Sequence, residues 1–340
     1  MRQDTEGGLL SAIAPEVDVY LGPGQIEQAL RQDVASGLQS TPKRLKPKWF
    51  YDHRGSQLFD EITRLPEYYL TRREREILYS EAAAIARLTC ADTLVELGSG
   101  TSEKTLLILD AINQRGMLQR YVPFDVSEAT LRTAADEIAE RYPGVGVHAV
   151  VGDFSRHLEH IPKGGRRLVA FLGNTIGNLH PGERVEFLRT VRPTLTEGDW
   201  LLLGTDLAKD KERLEAAYND AAGVTAEFNL NILSVLSREL DANFDLEGFD
   251  HVARYDERQE WIEMLLRSRH EQTVGICALG LDVHFAAGET MQTEISAKFR
   301  RETVERELGG AGFAMEHWWT DSRGDFALSL SRPRWRRPQP

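Results

Sequence analysis

The stretch that decides the fold is VELGSGTSEKT, residues 95–105. An apolar run of β type, TLVEL (93–97), enters a turn that carries Gly98 and Gly100, and a helical pattern, SEKTLLILDAIN (102–113), leaves it. Glycine in a strand-to-helix turn lets the backbone approach a ligand closely, and the helix N-terminus offers N–H groups that lack intrahelical partners. Several ligand classes use such a turn. A phosphate loop, G-x-x-x-x-G-K-[ST], is matched by Gly98, Lys104 and Thr105, but Glu103 stands where the second glycine belongs, and its carboxylate would face the phosphates. A dinucleotide turn, G-x-G-x-x-G, is matched by Gly98 and Gly100 and fails at the same Glu103.

The flanking sequence separates the remaining readings. RYVPF (120–124), VGVHAVVGD (145–153), RRLVAFLG (166–173) and DWLLLGTDL (199–207) are strands, with helices over 127–142 and 183–195 among them. This alternation predicts a parallel sheet with helices on both faces. The second strand ends in Phe124-Asp125, where a carboxylate can accept hydrogen bonds from two ribose hydroxyls. The third ends in Gly152-Asp153-Phe154, where a carboxylate can accept from an adenine amino group and an aromatic ring can pack on the base. Singly, Asp125 reads as helix capping and Asp153 as a turn residue. Ligand-type features at three successive strand ends, where open α/β sheets bind their ligands, point instead to S-adenosylmethionine, which needs no third glycine because it has no pyrophosphate.

The alternation stops after Asp206. Residues 210–240 read as helical and polar-faced, 251–276 as antiparallel strands, and GFAMEHWWTDSRGDFALSLSR (312–332) as a hairpin turning at Ser322-Arg323-Gly324. The expected fold is α/β: a class I, Rossmann-like S-adenosylmethionine-dependent methyltransferase sheet with a second, α+β substrate-binding lobe. The core is placed at 73–208 plus 299–333, the lobe at 1–72 plus 209–298, and a tail at 334–340.

Bulk properties narrow the setting. A net charge of −12 argues against general nucleic-acid binding, and no run approaches the roughly 18 apolar residues of a membrane span. The acidic start MRQDTEGGLLSAIAPEVD has no basic region ahead of its short apolar piece, so a cytoplasmic protein is expected. Cys90 and Cys277 have no metal-type spacing and read as buried free thiols, and no His/Cys cluster supports a metal.

WFYDHRGSQLFDEITRLPEYYLTRREREIL, VELGSGTSEKT, YVPFDVS, FLGNTIGNL and ETMQTEISAKF together resemble the bacterial L-histidine Nα-methyltransferases of ergothioneine biosynthesis, over roughly residues 34–332. The resemblance implies transfer of three methyl groups from S-adenosylmethionine to the α-amino group of L-histidine, giving the betaine hercynine, with no metal and with a monomer expected. It implies cofactor contacts from Gly98, Lys104, Asp125, Asp153 and Phe154. For histidine it implies Tyr68, Asn178, Tyr218, Glu294 and Ser296, with Gly173 and Met264 lining the pocket and Tyr51 near the amine. Tyr51 and Gly173 are thereby the candidate catalytic positions. Glu294 and Ser296, spaced i and i+2, would face one side of an extended segment and suit the two nitrogens of imidazole.

In FLGNTIGNL (171–179), Gly173-Asn174 is expected to make the exit from the fourth strand and Asn178 to reach the substrate carboxylate. A methyltransferase for another amino acid or small amine, and a non-catalytic binder of S-adenosylmethionine or a nucleotide, remain alternatives on the residues alone.

Overall fold

The computed structural model describes residues 13–100, 104–154 and 156–335. Thr101–Glu103 of the glycine turn therefore lie outside the described residues, as does 336–340 of the expected tail. The strands are β1 Glu16–Val19, β2 Thr93–Leu97, β3 Arg120–Asp125, β4 Gly146–Val151, β5 Arg167–Phe171, β6 Trp200–Asp206, β7 Phe249–Asp256, β8 Trp261–Ser268, β9 Gln272–Ile276, β10 Leu281–Phe285, β11 Thr290–Ala297, β12 Phe313–Thr320 and β13 Phe326–Pro333. The helices are α1 Pro23–Leu38, α2 His53–Arg64, α3 Leu70–Thr89, α4 Leu106–Gln114, α5 Glu128–Arg141, α6 Pro181–Val191, α7 Lys211–Tyr218, α8 Val224–Leu240 and α9 Arg301–Gly310.

The main sheet runs β1-β4-β3-β2-β5-β6-β13-β12. β1 to β6 are mutually parallel, and the β12–β13 hairpin closes the edge antiparallel to β6. Every residue of β2, β5 and β6 is buried, as strands covered on both faces require. Alternation along β2 sends Leu94 to one core and Val95 and Leu97 to the other. The first of these cores continues past the sheet into the region beyond it, through Phe50, Leu58, Phe228, Leu236 and Phe285.

That region contains the three-stranded sheet β11-β8-β7, the β9–β10 hairpin, and helices α1, α2, α7 and α8. Three expectations need correction. Glu16–Val19 pairs with His148–Val151 on the core sheet, so the N-terminal 72 residues do not all lie with the substrate lobe. α8 is not polar-faced: Phe228, Ile232, Leu233, Leu236 and Leu240 are buried, and Asn229 is buried too, donating to Leu265 O (3.1 Å) and accepting from Thr293 Oγ1 (2.6 Å). Cys277 is exposed and Cys90 half-buried, so neither thiol is a core residue. No helix among the described residues is long and apolar enough to cross a membrane.

Candidate active site

The glycine turn has the conformation its sequence asks for. Gly98 (φ +69°) and Gly100 (φ +50°) occupy the left-handed region, and a Cβ on either would meet only open space. Backbone conformation, not packing, demands glycine there. Beneath the turn, Asp125 ends β3. Its Oδ2 accepts from the Gly100 N–H (3.0 Å) and its Oδ1 from the Ser127 N–H (3.1 Å). Burial raises the Asp125 carboxyl, and these backbone donors act against that shift. The Val126 N–H is a third backbone donor to it. Among the described residues, Ser99 Oγ is buried without a hydrogen-bond partner. Open space over two glycines, an orphaned hydroxyl and a carboxylate at the strand end fit the ribose end of S-adenosylmethionine.

Asp153 and Phe154, expected at the adenine, have protein neighbours of their own. The Asp153 carboxylate lies 3.2 Å from Lys48 Nζ, and Lys48 also reaches Asp33 at 3.1 Å. The segment TPKRLKPKW (41–49), which joins α1 to α2, thus crosses to the end of β4. Phe154 packs edge-on against Phe171 and Phe187, with ring centroids 5.4 and 5.5 Å away. Lys104 pairs with Glu74, a fully buried residue of α3 whose Oε1 also accepts the Gly173 N–H at 2.7 Å. Glu74 joins the expected cofactor lysine to the expected acceptor glycine. A Cβ at Gly204 would come within 2.3 Å of the same Glu74 oxygen, so β6 needs glycine there to leave room for it. Glu96 of the motif is buried as well, and burial pushes its carboxyl up to about 7 while Thr105 and Tyr121 donate to it. It ties β2 to the start of α4.

Gly173 takes φ +74°. The expected acceptor tyrosines belong to one aromatic cluster. Tyr51 meets Phe59 at 5.5 Å and Phe228 at 5.6 Å, Phe59 meets Tyr68 at 6.2 Å, and Tyr68 meets Tyr218 at 6.3 Å. DHRG explains the placement of Tyr51. Asp52 caps α2 by accepting the Gly55 N–H (2.8 Å) and is held to α8 by Asn231 (2.8 Å). A Cβ on Gly55 would fall 1.7 Å from the Phe50 carbonyl oxygen, so only glycine lets the chain fold back under Tyr51.

Glu294 stands opposite Met264 across the β11–β8 pair, and Ser296 opposite Ile262, which puts Glu294 and Ser296 on one face of β11. Burial pushes the Glu294 carboxyl up to about 7, with Lys298 pulling the other way. Burial raises the phenols of Tyr51, Tyr68 and Tyr218 well above their usual range, and the Glu294 charge adds to each. The Asp125 charge acts on Tyr51 in the same direction. Asn178 ends a short 3-10 turn, Thr175–Asn178, and is half-buried.

The first Asn of FLGNTIGNL has more than a turn to make. Asn174 adopts φ +60° and is almost wholly buried. Its Oδ1 accepts the Asp206 N–H (2.9 Å), while Nδ2 faces Ser296 Oγ (3.2 Å) and Ala297 O (3.3 Å). The end of β5 is thereby stapled to β6 and β11. Asp206 itself accepts from Tyr69 (2.9 Å), Lys209 (2.6 Å) and Lys298 (2.8 Å). Burial alone would raise its carboxyl, but the two ammonium groups hold it below the usual range. Of this network only Ser296 was among the expected site residues; for Asn174 the signal was its place in a Gly-Asn pair, which tolerates positive φ.

A glycine turn over an acidic strand end, together with an aromatic cluster near a carboxylate, defines a methyltransferase of the S-adenosylmethionine-dependent class. The comparisons with known proteins make the assignment narrower. A family model described as histidine-specific methyltransferase, SAM-dependent, matches residues 30–333, and the chain belongs to that family. It is 57% identical to the histidine N-alpha-methyltransferase of Mycolicibacterium smegmatis, over 92% of this chain and 97% of that protein. It is 56% identical to the protein of the same name from Mycobacterium tuberculosis, with the same coverage of each chain. Ergothioneine biosynthesis protein 1 of Schizosaccharomyces pombe is 31% identical, over 76% of this chain and 34% of its own length.

Proposed function

We propose that this chain transfers methyl groups from S-adenosylmethionine to the α-amino group of L-histidine, three in succession, to give hercynine, the first step of ergothioneine biosynthesis. The observation that carries the reading is the half-buried Glu294 carboxylate, on the face of β11 that it shares with Ser296, with the phenols of Tyr51, Tyr68 and Tyr218 within reach of its charge. The names of the mycobacterial relatives support histidine as the acceptor, and the fission-yeast relative supports the pathway.

S-adenosylmethionine, when bound, supplies a methyl group already activated on a sulfonium. Gly98, Gly100 and Asp125 would hold its ribose end, Asp153 and Phe154 its adenine, and Lys104 its carboxylate. The chain has then to align the amine, keep it neutral and exclude water. Aromatic walls disfavour the charged ammonium and so favour the free base. The same walls suit the methylated cation that grows there, through the negative faces of their rings. Glu294 accepts the imidazole N–H, Asn178 and Tyr68 hold the amino-acid carboxylate, and Met264 fills the floor beneath the ring. Gly173 leaves space beside the amine. Because the Tyr51 phenol is held protonated, it relays rather than removes the proton that leaves the amine.

Incubation with S-adenosylmethionine and each of the twenty amino acids, read by mass spectrometry, tests the proposal. Histidine carrying three added methyls is the expected product. Methylation of a different amino acid would transfer the reading to that substrate, and no product with any of them would leave a binding protein.

A further inference from the structure

Lys298 lies one residue beyond β11, and its side chain is completely buried. Its ammonium has three hydrogens and three partners: Asp206 Oδ2 at 2.8 Å, Tyr218 Oη at 2.9 Å and Ser296 Oγ at 2.9 Å. Ser296 Oγ also faces Asn174 Nδ2 at 3.2 Å. The orientation of that amide is fixed, because Asn174 Oδ1 accepts the Asp206 N–H on its other side. A hydroxyl oxygen has two lone pairs, so Lys298 and Asn174 occupy both of those on Ser296.

The consequence lies in the 2.6 Å contact between Ser296 Oγ and Tyr218 Oη. With its lone pairs taken, Ser296 must be the donor. Tyr218 then accepts from Lys298 and from Ser296, and its own hydrogen has no acceptor within the network. That hydrogen is therefore left for an acceptor outside the network, and the Tyr68 ring is a neighbour there, 6.3 Å away between centroids.

We propose that Lys298, anchored by Asp206 and helped by Asn174, is a positioning residue that makes the Tyr218–Ser296 hydroxyl pair a hydrogen-bond donor toward the acceptor substrate. The proposal rests on the functional reading above and deepens it. The pair presents a donor while Glu294 presents an acceptor, so the site takes a molecule that offers an N–H to one and a free lone pair to the other. That lone pair belongs to a carboxylate oxygen or to an unprotonated ring nitrogen. Removing Lys298 frees a lone pair on Ser296, lets Tyr218 donate inward, and erases the outward donor.

The test uses the full-length enzyme with histidine and with histidinol, which keeps the ring and lacks the carboxylate. Lys298→Met should raise the KM for histidine about 10- to 100-fold, as expected on losing a hydrogen bond to a charged or strongly polar group. The dissociation constant for S-adenosylmethionine should stay within about 2-fold. Lys298→Arg, which keeps donors, should recover part of the loss. Should the lone Asp206 charge unfold Lys298→Met, the double variant Asp206→Asn/Lys298→Met removes both charges and should show the same histidine defect. A penalty that disappears with histidinol supports the proposal and assigns the donor to the carboxylate; an equal penalty with both substrates supports it and assigns the donor to the ring nitrogen. An unchanged histidine KM in Lys298→Met, or equal losses for histidine and S-adenosylmethionine in both variants, would overturn it. A wild type inert towards histidine would overturn the functional reading first, and this proposal with it.

Discussion

The cofactor half and the acceptor half of the site are assembled from different parts of the polypeptide. At Asp125 the partners are backbone N–H groups of Gly100 and Ser127, supplied by turns at the ends of adjacent parallel strands. Near Glu294 the bonds run between side chains instead: Asn174, Tyr218, Ser296 and Lys298, far apart in the sequence, hydrogen-bond with one another. Backbone donors come with the sheet and depend on little beyond glycine conformation. A side-chain network depends on every member, since one lost partner leaves a buried polar group unsatisfied. The cofactor half should therefore tolerate substitution around it, whereas the acceptor half should fail at single positions.

The largest expected effect is at Glu294. Glu294→Ala should raise the KM for histidine about 100-fold and leave S-adenosylmethionine binding within about 2-fold, measured by steady-state kinetics and calorimetry. Equal losses of both would merge the two halves into one structural unit. Asp125→Ala is the mirror experiment. It should weaken S-adenosylmethionine binding about 30-fold, through the hydrogen bonds a ribose would give to a carboxylate, with a smaller change for histidine. The charges of both Glu294 and Asp125 act on Tyr51, and Tyr51→Phe should lower kcat about 10-fold with both KM values little changed. Full activity of that variant at every pH would remove Tyr51 from the proton path.

The smallest expected effect concerns stability. Burial raises the folded-state pKa of Glu294 from 4.5 to about 7, so the protonated form is favoured by folding. The stabilisation is fully present below pH 4.5 and is lost as the pH rises through 7. Glu294→Gln should therefore raise the Tm of the ligand-free protein by about 3 °C at pH 8 and leave it nearly unchanged at pH 4.5. Equal shifts at both pH values would place the gain in packing rather than in charge.

The same contrast governs what could be read in advance. Parallel strands, their intervening helices and the residues at three strand ends were legible because each is a local pattern, and the family resemblance brought in Glu294, Tyr218 and Tyr51. Asn174, Glu74, Lys298 and Asp206 were not legible. Each looks ordinary beside its chain neighbours and gains meaning only from partners far away in the chain, as when Glu74 meets Gly173 and Lys104. β1 escaped notice for a related reason: four residues carry too short an alternation to identify a strand without its partner β4.

That short strand also affects the mechanics of the molecule. The chain leaves the main sheet after Val19, returns to it with α3 at Leu70, leaves again after Asp206 and returns with α9 at Arg301. The second lobe is thus sewn to the sheet by four threads, where a lobe inserted once would have two. Attachment points spread from β1 at one edge of the sheet to the β12–β13 side at the other resist a wide swing about any single axis. They leave sliding of one packed surface over the other as the compliant motion for admitting histidine and releasing its methylated product.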